Sequence, residues 1–202
     1  MQLNLIPAMN NILKFDKQTG LIRLLVHLRK EGITHINKIN KRTGMSYGTA
    51  YKCINILKTF ALIIEKDENG EKSKRRQRVF SLTEKGVAVA GLFLNIDELD
   101  KTRQILLNMD SQTGLIKTLN YIYKNDKAYS SELKEKGKVN ASNICISFLD
   151  RWGMVEGKLE FPKGRQRGYR VDHFYLTDRG KYVGKQMEEI GKIIDGNRFH
   201  PS

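Results

Sequence analysis

Residues 36–63 read INKINKRTGMSYGTAYKCINILKTFALI. The triplet Thr43-Gly44-Met45 interrupts two apolar periodicities, with glycine where a tight turn favours it. Before the turn, the spacing predicts a short helix over His35–Arg42, with Ile36 and Ile39 inward and Thr34 as its N-cap. After it, Ser46 is a natural N-cap for a helix whose inward face is Ala50, Cys53, Ile54 and Leu57. Upstream, Gln18–Lys30 places Leu21, Leu24, Leu25 and Leu28 on one helical face, and Gly32 closes it. Downstream, Leu62–Lys66 and Arg78–Leu82 are rich in β-branched and aromatic residues and flank the polar stretch Asp67–Gln77, which predicts a hairpin with a long loop. Thr83 then caps a fourth helix starting near Glu84 and carrying Val87, Ala90 and Leu94.

The same text occurs twice. DKQTGLI at 16–22 matches DSQTGLI at 110–116, and FSLTEKG at 80–86 matches FYLTDRG at 174–180, both at an offset of 94. Between them, YKCINILKTFALI at 51–63 aligns with NICISFLDRWGMV at 143–155 at an offset of 92, superposing Cys53 on Cys145 and Leu57 on Leu149. Length changes that are later restored to register are typical of loops. The chain therefore reads as an internal duplication, with domains at 1–98 and 99–202 and the boundary inside a connecting helix near 98–106.

Helix, helix, turn, helix and hairpin, in that order, resemble the winged helix-turn-helix. The 36–63 phrase is similar to the helix-turn-recognition-helix of MarR-type and related archaeal and bacterial regulators, and FSLTEKG is similar to the close that follows the wing there. The resemblance covers each copy almost end to end. It implies a mainly α chain with small β-hairpins (α+β), made of two tandem winged helix-turn-helix domains. It also implies that terminal helices can mediate a homodimer. The apolar stretch Ala88–Leu107 is expected to pack as the connector between domains, with the helix from Lys181, carrying Val183, Met187, Ile190 and Ile194, either joining it or mediating such a homodimer.

The charge points the same way. Thirty-six Lys and Arg against 22 Asp and Glu give +14, with 17 against 9 in residues 1–98 and 19 against 13 in 99–202. Both halves are basic, which suits a polyanionic partner, double-stranded DNA ahead of a membrane surface. No apolar run reaches membrane-spanning length and no secretory pattern opens the sequence, so a cytoplasmic, nucleoid-associated protein with cores for two modest domains is expected. Cys53 and Cys145 are too few for a disulfide scaffold and fall on inward faces. His27, His35, His173 and His200 show no metal-ligand spacing, and no phosphate-cradling glycine loop occurs. Neither an enzymatic activity nor a cofactor is expected.

In a helix-turn-helix the exposed face of the second helix enters the major groove. In the first copy that face holds Ser46, Tyr47, Gly48, Thr49, Tyr51, Lys52 and Asn55. Lysine suits guanine O6/N7 and asparagine suits adenine N6/N7. The corresponding face of the second copy carries Asn140, Asn143, Ile144 and Ser147, with Ile144 at the place of Lys52. It reads either as a weaker or differently specific DNA surface or as a partner-binding one. The hairpin loops carry the densest charge: Lys72, Lys74, Arg75, Arg76 and Arg78 in the first copy, and Lys163, Arg165, Arg167 and Arg170 in the second. Arginine clusters on loops suit phosphates or a narrow minor groove. The expected function is site-specific transcription regulation by two winged helices acting as a pseudo-dimer. The alternative is a plasmid- or virus-type replication initiator or segregation protein that uses one winged helix for protein contacts.

Overall fold

A computed structural model describes residues 12–13, 15, 17–69, 76–99, 104–137, 139, 142–160 and 171–196. The described chain is mainly helical with two small antiparallel sheets. After helical residues 12, 13, 15 and 17, the first half contains α1 (Leu21–Glu31), β1 (Thr34–His35), α2 (Ile36–Thr43), α3 (Tyr47–Thr59), β2 (Ile63–Asn69), β3 (Arg76–Leu82) and α4 (Glu84–Asp97). The second half contains α5 (Gln104–Ser111), α6 (Leu115–Asn125), β4 (Lys127–Tyr129), α7 (Ser130–Glu135), α8 (Ser142–Arg151), β5 (Val155–Glu160), β6 (Val171–Leu176) and α9 (Asp178–Ile194). The sheets are ordered β1-β3-β2 and β4-β6-β5. Their registers correspond: Thr34 faces Phe80 as Ala128 faces Phe174, and Ile63 faces Leu82 as Val155 faces Leu176.

Local chemistry explains the element starts. Thr83 accepts from the Gly86 N–H and donates its hydroxyl to the Ala61 carbonyl at 2.7 Å; Thr177 does the same with Gly180 and with Gly153 at 2.6 Å. Each threonine thus caps a helix and ties it to the loop before the hairpin. Gly86 and Gly180 permit this, because a Cβ on either would collide with the carbonyl oxygen of Leu62 or Met154.

The buried apolar residues form one continuous cluster across both halves, not two separate cores. Its centre includes Phe15, stacked on Phe60 and tilted against Phe93 at 5.7 Å. Helices α4 and α9 pack together antiparallel. Lys85 in the first turn of α4 donates to the Ile194 carbonyl at 2.9 Å, and Arg179 in the first turn of α9 donates to the Leu99 carbonyl at 2.6 Å. A cation at one helix start thereby meets the electronegative end of the other.

Several expectations are corrected. Thr34 is not an N-cap: it lies buried in β1 opposite Phe80, a place that suits its branched side chain, and His35 occupies the cap without a side-chain bond. The strands extend further into the expected loop than Lys66 and Arg78. On α4 the buried face is Val89, Ala90, Phe93 and Ile96, while Val87 is exposed, because α1 and α9 both cover this helix. The connecting helix expected near 98–106 falls partly on residues 100–103, which lie outside the described residues. The Glu98 N–H bonds to the Leu94 carbonyl and the Leu99 N–H to Ile96, tightening α4 to its end at Asp97, and α5 begins at Gln104. Val183, Met187, Ile190 and Ile194 of α9 are buried within the chain. No described helix is long and apolar enough to cross a membrane.

Candidate nucleic-acid interface

The turn before α3 is fixed from several sides. Gly44 takes a left-handed conformation (φ 70°) and its N–H closes α2 on the Asn40 carbonyl. The Thr43 hydroxyl donates to Ile39 O at 2.7 Å, and the Arg23 guanidinium reaches from α1 to the Thr43 carbonyl at 3.0 Å. Met45 is buried after the turn. The Ser46 hydroxyl accepts from the Thr49 N–H and meets the Thr49 hydroxyl at 3.0 Å. Ser46 and Thr49, both expected to touch DNA, thus serve first to start the helix.

From that start, Ala50, Cys53, Ile54 and Leu57 are buried, as the spacing predicts. The opposite face is open: Tyr47, Gly48, Tyr51, Lys52, Asn55 and Lys58 are exposed, Tyr47 by 54% and Tyr51 by 37%. The Tyr47 hydroxyl donates to Asn37 Oδ1 on α2 at 2.7 Å, so its ring is held over the gap between the two helices. The end of α3 is tied to the hairpin through one carboxylate. Lys58 Nζ lies 2.6 Å from Glu65 Oε2, and Arg78 Nη1 lies 3.4 Å from Glu65 Oε1. Helix face and hairpin are therefore held together as one surface, with Lys52, Lys58 and Arg78 as its described cations. Lys72, Lys74 and Arg75 lie outside the described residues. Arg76 opens β3, but only its backbone is described.

The corresponding surface of the second half has a different chemistry. On α8, Ser142, Cys145, Ile146 and Leu149 are buried. Asn143, Ile144, Ser147, Asp150 and Arg151 are exposed, Ile144 by 52%. The Arg151 guanidinium sits 5.6 Å from the Phe148 ring centre. On the sheet, Leu159 is 61% exposed opposite Asp172, and Lys158 pairs with Glu156 at 2.7 Å. Lys127 and Lys158 flank the Tyr175 ring at 5.7 and 5.2 Å. Asn140, Lys163, Arg165, Arg167 and Arg170 lie outside the described residues.

Lys58 and Glu65 also belong to the first surface, outside the residues expected there from the sequence. Lys58 lies three residues after Asn55 on the same helical face, a spacing that could have revealed it. Both cysteines are buried and unbridged, and Cys53 Sγ donates to the Thr19 carbonyl at 3.5 Å. Burial pushes the Cys53 thiol up to about 12, with the nearby Asp110 carboxyl adding to the effect. Burial likewise lowers His27 from the usual imidazole value against the opposing pull of Glu31. Among the described residues, no group of three His, Cys, Asp or Glu side chains could hold a metal ion. No family model, curated protein or solved structure matches the chain.

Proposed function

We propose that the chain is a double-stranded DNA-binding protein, a site-specific transcription regulator whose two halves are tandem winged helix-turn-helix domains joined as a pseudo-dimer. One observation carries the reading: α3 presents Lys52 and Asn55 on an open face, and Glu65 ties that helix to a cationic hairpin. A rigid helix exposing a lysine and an asparagine suits base edges in the major groove. The net charge of +14 suits the phosphate backbone. The matched element order and strand registers support the tandem arrangement. A cytoplasmic, nucleoid-associated location follows from a DNA partner. The test is selection from a random duplex pool, followed by footprinting of the enriched site. An enriched motif lost in Lys52→Ala supports the reading; retention of the whole pool without preference at moderate salt refutes it.

The replication or segregation alternative draws on Ile144 and Asp150 of α8, which suit a protein contact better than a phosphate backbone. Binding to directly repeated origin sequences with the second domain dispensable for DNA would favour it.

A further inference from the structure

We infer that the DNA element selected by this chain is directional: α3 reads bases in one half of it, α8 makes no base-specific contact, and the chain lies on the site in one orientation. This rests on the DNA reading proposed above. The motive is a comparison inside the molecule. The two halves share a frame. Both hairpins have the same register, and both following helices start from a threonine bonded to the loop before the hairpin. The buried faces of α3 and α8 correspond at Ala50 and Ser142, Cys53 and Cys145, Ile54 and Ile146, and Leu57 and Leu149. Differences on the exposed side are therefore changes of chemistry on a retained frame.

From Lys52 to Lys58 and across the hairpin pair the differences remove DNA-directed groups. The exceptions on α8 are Asn143, which answers Tyr51 at the helix start, and Arg151, which answers Thr59 and is held over the Phe148 ring. Lys52 is answered 92 positions on by Ile144, and Asn55 by Ser147. A branched alkyl chain can meet a thymine methyl but donates to no base, and a serine hydroxyl cannot make the paired bonds that asparagine makes to adenine. Lys58 is answered by Asp150, and Glu65, which joins Lys58 to Arg78, by Gly157. The cross-strand pair Asp67–Arg78 corresponds to Leu159–Asp172. Two cations become two exposed carboxylates, whose repulsion by phosphates is screened only beyond about 8 Å at physiological salt.

The arrangement of the halves makes this consequential. Lys85 reaches the end of α9 and Arg179 reaches the end of α4, so exchanging the halves maps one contact nearly onto the other. Two equal reading helices related in that way would select an inverted repeat. Unequal ones select a single block with a defined polarity.

The experiment is random-pool selection with the full chain and with three variants. The wild type should enrich one contiguous block with no inverted copy. Lys52→Ala should erase that block, and Ile144→Ala should leave its sequence unchanged and its affinity within about twofold. The combined variant I144K, S147N and D150K restores the first-half chemistry on α8. It should enrich an inverted repeat and bind it at least about tenfold more tightly than the wild type does, the scale of one good base contact. An inverted repeat with two equal blocks from the wild type would overturn the inference while leaving DNA reading intact. So would loss of part of the motif in Ile144→Ala, a variant that keeps α8 testable if the triple substitution fails to fold. Enrichment of no motif at all would overturn the DNA reading itself, and directionality with it.

Discussion

The Asp110 carboxylate accepts a hydrogen bond at 2.8 Å from the backbone N–H of Ile22, 88 positions earlier in the chain. It also accepts from the Gly20 N–H at 3.0 Å and the Arg23 N–H at 3.3 Å, and the Arg23 side chain approaches it at 3.4 Å. Gly20, at the start of α1, has no side chain to cap with, so the second half of the chain supplies the anion that the helix start requires. Burial pushes the Asp110 carboxyl above its usual range, and the Arg23 backbone and guanidinium pull it back. Arg23 also holds the turn before α3, so the cap reaches the candidate interface in two steps.

Asp110→Ala is therefore expected to destabilise the fold by about 3 kcal/mol, because it leaves three N–H groups without their acceptor and removes the carboxylate facing the Arg23 guanidinium, which keeps the Thr43 carbonyl. Urea unfolding measures this. A loss under about 1 kcal/mol would mean that water replaces the carboxylate and that the halves do not depend on it.

Glycine substitutions test the threonine ties. Gly86→Ala and Gly180→Ala each drive a methyl group into a backbone carbonyl, of Leu62 and of Met154. Each should cost about 3 kcal/mol, at the upper end of overpacking. Gly91→Ala is the control: it lies on the same helix with nothing near the added methyl. It should stabilise α4 by up to about 1 kcal/mol, the difference in helix propensity. Equal effects at Gly86 and Gly91 in thermal melts would show that helix α4 can shift away from its loop.

The Cys53 thiol gives a pH test with a defined sign. Its value is 9.0 when unperturbed and about 12 in the folded chain. A raised value means that the unfolded chain releases this proton first. The stability contributed by Cys53 is therefore complete below pH 9.0 and declines as pH rises toward 12. The stability gap between the wild type and Cys53→Ala should narrow steadily in urea melts between those limits. A gap that stays constant with pH would show that the folded thiol ionises as readily as an unfolded one.

What was legible in the sequence is what depends on neighbours along the chain. Ser46 and Thr83 act as caps because the N–H they accept lies three residues away, and the inward face of α3 follows from helical spacing alone. Strands β1 and β4 were not legible: at two and three residues, they exist only through pairing with β3 and β6. The Asp110 cap was hidden for the same reason, since its partners lie 87 to 90 positions away. At the interface, Lys52 and Asn55 could be picked out by spacing. The link from Lys58 through Glu65 to Arg78 needed the fold to bring helix and hairpin together.

The proposed interface predicts two kinds of loss that salt can separate. Arg78 stands on a strand beside a loop that the sequence fills with further cations, whereas Lys52 and Asn55 share one face of a capped helix. A hairpin arginine suits phosphates, so Arg78→Ala should weaken binding to every duplex alike and flatten the slope of log affinity against log salt by about one unit. Arg75→Ala and Arg76→Ala, placed in the same cluster by sequence, should act likewise. Lys52→Ala and Asn55→Ala should each cost about 1–3 kcal/mol on the selected site and little on random DNA, because the lost contact is to a base edge. Titrations of each variant on both duplexes at several salt concentrations make the comparison. If the hairpin variants lose specificity while Lys52→Ala and Asn55→Ala lose only general affinity, the docking is reversed and the hairpin is the reading element.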